Sequence, residues 1–176
     1  MLRHLHRLAR DRGGIAASEF ALLLPIMILL LFGTAEVGNA VLLHRKITAA
    51  TQTAADLVAQ ATILDDDDIE NLFDAMDAVM APFDDGSATY VIESIISEDG
   101  NTEIDWVEIS GNDEAEAGDE VGLPEGVMLA GSSVIVVRVS YPYTPIFNDL
   151  IFVSGQFTMS DIAYLKPRRT NAVVRD

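Results

Sequence analysis

The sequence predicts an α+β fold in which a long N-terminal helix and a second, shorter helix pack on one face of a small, mostly antiparallel sheet of three to four strands. Three observations carry this prediction. Apolar residues run almost unbroken from Ile15 to Ala35 and then recur at helical spacing to about Ala61. A short amphipathic pattern with acidic residues at its start follows between Leu64 and Phe83. From Thr89 onward the apolar residues alternate in short runs separated by Gly, Asp and Pro, the pattern of strands and turns. At 176 residues the chain has room for one ordinary domain plus an apolar anchor.

The first element opens on a basic head in which Asp11 alone opposes Arg3, Arg7, Arg10 and Arg12. Between Ile15 and Ala35 the only strongly polar side chains are Ser18 and Glu19. A span of about 20 residues at about 1.5 Å each matches a hydrocarbon core of about 30 Å. Two readings follow. Under the positive-inside rule the basic head is a cytoplasmic flank and the run is a single membrane span. Alternatively the run is the apolar part of a secretory signal, with Gly33-Thr34-Ala35 offering small residues to a signal peptidase that would cut after Ala35. Glu36, at the far end of the run, reads as an interfacial residue at the periplasmic membrane boundary, with contact to a partner helix in an assembly as the alternative. Beyond it Val37, Val41, His44, Ile47, Thr51, Ala54 and Val58 recur at spacings of three and four, widened by Ala40, Ala50, Ala55 and Leu57. That stripe predicts an amphipathic continuation, and a helix from Ile15 to Ala61 would be about 70 Å long by its rise. Pro25, Gly33 and Gly38 are places where it could bend.

The second helix is announced by Asp65 to Asp68, which supply an N-cap and first-turn carboxylates suited to the positive helix end. Ile69, Leu72, Phe73, Met76, Val79, Met80 and Phe83 form its apolar face, and Pro82 with Asp84-Asp85-Gly86 ends it. "TYVIESIIS" and "TEIDWVEIS" then predict a hairpin turning at Asp99-Gly100. The acidic, Gly-rich stretch over 111–126 reads as an exposed loop. "SSVIVVRVSYPY" predicts a central strand ended by Pro142 and Pro145, and "GQFTMSDIAYLKP" a last strand bulged near Ser160 or Asp161. The expected organisation is a basic cytoplasmic leader over 1–14, a membrane helix over 15–36, its amphipathic periplasmic continuation over 37–61, an acidic periplasmic α+β domain over 62–167 and a frayed tail over 168–176.

Charge and composition narrow the function classes. The net charge is −17, and no Lys or Arg occurs between Lys46 and Arg138 while acidic residues crowd that interval. Such a surface repels phosphates and argues against nucleic acid. With no cysteine there is neither a disulfide framework nor a thiolate site. Neither Gly100 nor Gly118 has calcium-loop ligands in register around it, so no metal site is expected. The four-Asp run reads as a helix start, with weak, diffuse cation binding as the alternative. His4, His6 and His44 all flank the apolar run, which leaves the acidic domain without a histidine for nucleophilic catalysis. No glycine-rich phosphate cradle follows a strand, and no cofactor or small-molecule substrate is expected. A hydrolase built on two carboxylates is the remaining enzymatic reading, but nothing selects a pair. Trp106, Tyr90, Tyr141, Tyr143 and Tyr164 read as core and sheet packing, with a binding platform as the alternative.

The basic head, Gly14, "IAAS", Glu19, Phe20 and "ALLLPIMILLLFGTAEVGNAVLLHRKITAATQTAADLV" together resemble the TadE-like pseudopilin family of tight-adherence (Flp-type) pilus systems. The resemblance covers about residues 10 to 60. It implies a non-enzymatic minor pseudopilin of the bacterial inner membrane, cut by a prepilin peptidase between Gly14 and Ile15 on the cytoplasmic face. Gly14, Ile15, Glu19 and Phe20 would form the processing site, and Glu19 would register the subunit against an α-amine. The implied partners are the peptidase, pilin and other pseudopilin subunits, and inner-membrane platform proteins. A secreted or anchored envelope binding domain unrelated to pili is the competing reading.

Overall fold

The computed structural model describes residues 13–83, 86–98, 101–111, 131–147 and 155–176, the side chains of Gly13, Glu98 and Asn101 excepted. Several expected features lie outside the described residues: the basic head, Asp84-Asp85, the Asp99-Gly100 turn and all but Gly111 of the acidic loop. The structure is mixed α and β, as the sequence predicts. The chain divides into two compact units, Met1–Asn39 with Pro145–Gly155, and Ala40–Thr144 with Gln156–Asp176.

The first unit carries the N-terminal part of helix α1, which runs from Gly13 to Gln60. Helical backbone continues through Pro25, Gly33 and Gly38. Pro25 removes one i to i−4 hydrogen bond from the ladder. Every residue from Gly14 to Met27 is exposed, including Leu22, Leu24 and Ile26. An apolar surface of that extent has no place in water.

The second unit is built around a four-stranded antiparallel sheet in the order β3-β2-β4-β5. Its strands are β2 (Thr89–Glu98), β3 (Asn101–Ser110), β4 (Ser133–Tyr143) and β5 (Phe157–Leu165). Alternation decides the faces: Tyr90 and Ile92 of β2 pair with Val139 and Val137 of β4 and share one side. That side meets Leu43, Ile47, Ala50, Ala54, Ala55 and Val58 of α1 in a single core. Four alanines of α1, Ala50, Ala54, Ala55 and Ala59, have no exposed surface.

Helix α2 (Asp66–Met80) completes the core with Ile69, Leu72, Met76 and Met80. It begins as predicted, on a reciprocal cap: the Asp65 carboxylate accepts from the Asp68 N–H at 2.8 Å, and the Asp68 carboxylate accepts from the Asp65 N–H. The Tyr90 hydroxyl, in turn, donates to Asp77 across the interface at 2.5 Å.

Several expectations are corrected. The buried stripe of α1 is set by Leu43, Ile47, Ala50, Ala54 and Val58, while Val37, Val41, His44 and Leu57 are exposed. Strand β4 runs through Pro142, which sits opposite Thr158 of β5. Pairing with β2 ends at Ser140, so beyond that point β4 has a neighbour on one side only, where a residue lacking an N–H is tolerated. The β4–β5 register is continuous past Ser160 and Asp161. The irregularity lies instead between β2 and β3, where Ser94 faces Trp106 but Ile95 faces Ile104, leaving Asp105 as the extra residue. Gly111, just after β3, has φ +108°, and a Cβ there would come within 2.4 Å of the Ala88 carbonyl oxygen.

The largest correction is the tail. Residues 168–176, expected to fray, are docked. A short strand β6 (Val174–Arg175) pairs in parallel with β1 (Ile63–Leu64). Val173 is fully buried, and its carbonyl accepts the Trp106 indole N–H at 2.8 Å. The Arg175 guanidinium bridges Asp66 and Glu108, and the hydrogen bonds to Asp66 and then Glu108 raise its pKa further above its already high range. Arg168 pairs with Asp56, and its N–H donates to the Ala59 carbonyl at 2.8 Å. The local sequence "RRTNAVVRD" has no periodicity, so only the partners reveal its fixed place.

Deleting Val173 to Asp176 from the full chain is expected to cost about 2–4 kcal/mol, combining a lost buried side chain with a lost hydrogen bond to the indole. Trp106 is the only tryptophan, so urea unfolding in detergent followed by its emission measures this directly. A frayed tail would leave both midpoint and emission maximum unchanged.

Candidate functional site

The processing residues singled out by the sequence occupy the first turns of α1. Gly14 lies one residue inside the helix, and nothing within 4 Å would meet a Cβ there. Two adjacent glycines make a weak helix start, each costing about 1 kcal/mol relative to alanine. Ile15 and Phe20 are 57% and 56% exposed. The Ser18 hydroxyl donates back to the Ile15 carbonyl at 2.8 Å and so closes on its own helix. Ile15 and Glu19 are four residues apart, which stacks them on one face. The Glu19 carboxylate is exposed beside the apolar surface rather than folded into the protein. Arg3, Arg7, Arg10 and Arg12 lie outside the described residues.

At the other end of the span the structure adds that Glu36 is buried, 6% exposed. One carboxylate oxygen, Oε2, accepts the backbone N–H of Phe147 at 3.1 Å. One turn earlier, the ring of Phe32 meets the ring of Phe147 with centroids 4.5 Å apart. Glu19 and Glu36 therefore bracket the apolar run, separated along the axis by about 26 Å at about 1.5 Å per residue. One signal for the burial of Glu36 was present in the sequence: Glu36, Ala40, Leu43 and Ile47 share the helical spacing of the buried face. Its partner was not, because Phe147 is 111 residues away.

The aromatic residues are used in packing. Phe83 meets Tyr141 edge-on at 6.1 Å, Tyr143 meets Phe157 at 5.4 Å, and Trp106 is tied to Val173. His44 is exposed on α1. Among the described residues no three His, Asp or Glu side chains converge as a metal ion would need.

Helix α1 is long and apolar enough over its N-terminal part to cross a membrane, and the deciding comparison falls on the same residues. Residues 14–56 match the TadE family, described as TadE-like protein. This segment is similar to TadE-like proteins. The match covers Gly14, Ile15, Glu19, Phe20 and Glu36 and stops within α1, before α2 and the sheet. No curated protein and no solved structure matches the chain.

Proposed function

We propose that this protein is a minor pseudopilin that supports assembly or initiation of a Flp-type pilus, with no catalytic activity of its own. The supporting observation is a coincidence within one helix: the TadE-like match lies on a segment that is apolar and wholly exposed from Gly14 to Met27. In this reading the basic head stays in the cytoplasm, the run from Ile15 to Glu36 spans the inner membrane and the acidic α+β unit meets partners in the periplasm. A prepilin peptidase hydrolyses the Gly14–Ile15 bond, adding water so that Gly14 gains a carboxylate and Ile15 an α-amine. The weak helical propensity of Gly13-Gly14 eases the local unwinding that a protease requires. The new amine lies one turn from Glu19, and the carboxylate neutralises it in its own chain or in a neighbouring subunit.

Mass and N-terminal residue of the mature protein, made with and without a prepilin peptidase, test the proposal. A start at Ile15 only when the peptidase is present is expected. A start at Glu36 would indicate ordinary secretion of a soluble binding domain, and an intact Met1 in both cases would remove the processing step.

A further inference from the structure

We propose that Pro145-Ile146-Phe147, which follow β4, are a second membrane-contacting element, seated against lipid at the Glu36 end of the span and held beside α1 by Glu36 and Phe32. The inference rests on the reading of α1 as a membrane helix and adds a contact that the TadE-like segment does not contain. Phe147 packs on Phe32, which lies four residues before Glu36, about 6 Å deeper into the apolar run at about 1.5 Å per residue. A side chain that reaches the level of Phe32 reaches lipid. Its neighbour Ile146 is 65% exposed.

The composition of the connection supports the same contact. From Pro145 to Gly155 the sequence is "PIFNDLIFVSG", in which Asn148, Asp149 and Ser154 are the only polar residues. Strand connections ordinarily run over a wet surface and are polar, so this one calls for an apolar partner. It carries no Lys or Arg, which rules out attraction to anionic headgroups as the cause and leaves apolar insertion.

The hydrogen bonding fits the same place. Irregular backbone at a lipid boundary must have its N–H groups satisfied within the protein. Pro145 has no N–H, and the Phe147 N–H is taken by the Glu36 carboxylate. The same bond relieves a carboxylate removed from water at the end of the span. One contact thus fixes the depth of Phe147 against the helix.

The chain has no cysteine, so single labelled cysteines report position cleanly. Ile146→Cys, Leu22→Cys and Thr102→Cys, each in the full chain, would carry an environment-sensitive fluorophore in phosphatidylcholine vesicles containing lipids spin-labelled near the headgroup or deep in the chain. The Ile146 site is expected to be quenched several-fold more than Thr102 by the shallow label, independently of salt and of protein-to-lipid ratio. Introducing Glu36→Leu should lower that quenching while leaving Leu22 unaffected. Quenching at Ile146 no greater than at Thr102 would overturn the proposal. Shielding of Ile146 from water without lipid quenching, growing with protein density, would also overturn it and assign the surface to a second copy of the chain. If Leu22 itself is not quenched, the membrane-helix reading fails first, and the two failures are told apart.

Discussion

Glu19→Ala is expected to abolish pilus assembly while leaving the cut between Gly14 and Ile15 intact. The carboxylate is exposed on the apolar part of α1, one turn after Ile15, and lies outside the second unit. Removing it therefore leaves the fold of the second unit untouched. Under the proposed function, what it changes is the state of the Ile15 amine after processing. A charged group without its partner in a membrane segment costs about 3 kcal/mol, and each 1.4 kcal/mol is about a tenfold change in an equilibrium. Assembly is expected to fall about a hundredfold or more on that basis. Glu19→Gln keeps a hydrogen-bond acceptor but not the charge and should fall between the variant and the natural chain. Sheared surface pili quantified by immunoblot, with the mature N-terminus checked by mass in the same cells, separate assembly from processing. Normal piliation in Glu19→Ala would end the registration role, and loss of the cut would move Glu19 into peptidase recognition.

Leu43→Ala is expected to destabilise the second unit by about 2–5 kcal/mol, whereas Val41→Ala should change it by about 0.5 kcal/mol or less. Leu43 has no exposed surface and lies in the core with Ile47 and the inner face of the sheet. Val41, two residues earlier, is 46% exposed. Truncating Leu43 removes apolar burial and leaves a cavity that the closely packed alanine face of α1 is poorly able to fill. The measurement is urea unfolding of the full chain in micelles, again followed by Trp106. Equal effects would mean that the helix docks through the stripe read from sequence rather than through the one in the structure.

That second prediction marks how far the sequence was legible. From Val37 to Leu43 every position except Asn39 is apolar, Ala or Gly, so periodicity reveals the helix but leaves its buried face ambiguous by one position. Helix α2 was read correctly in both start and face. Its Asp65 to Asp68 cap and its polar outer surface leave only one orientation. The strand runs were equally clear, yet the bulge was misplaced, because a bulge is decided by the partner strand and Ser160 and Asp161 carry no more local signal than Asp105. At the candidate site, Gly14, Ile15, Glu19 and Phe20 were found as a motif, because their spacing lies within two helical turns. Glu36 stands out as a carboxylate at the end of the run, but its bond to Phe147 joins positions 111 residues apart.

By itself the sequence determined the exposed apolar span, the continuous helix that carries it, the capped second helix and the order of the strands. All are properties of neighbours along the chain, where hydrogen bonds and side-chain spacing repeat every few residues. Only the tertiary structure decided that Glu36 turns inward to Phe147, that Val173 accepts the Trp106 N–H and that Arg175 bridges Asp66 and Glu108. Each joins residues 67 to 111 positions apart. A buried carboxylate or a docked tail is stable only when its distant partner is already in place, and no local pattern records that partner.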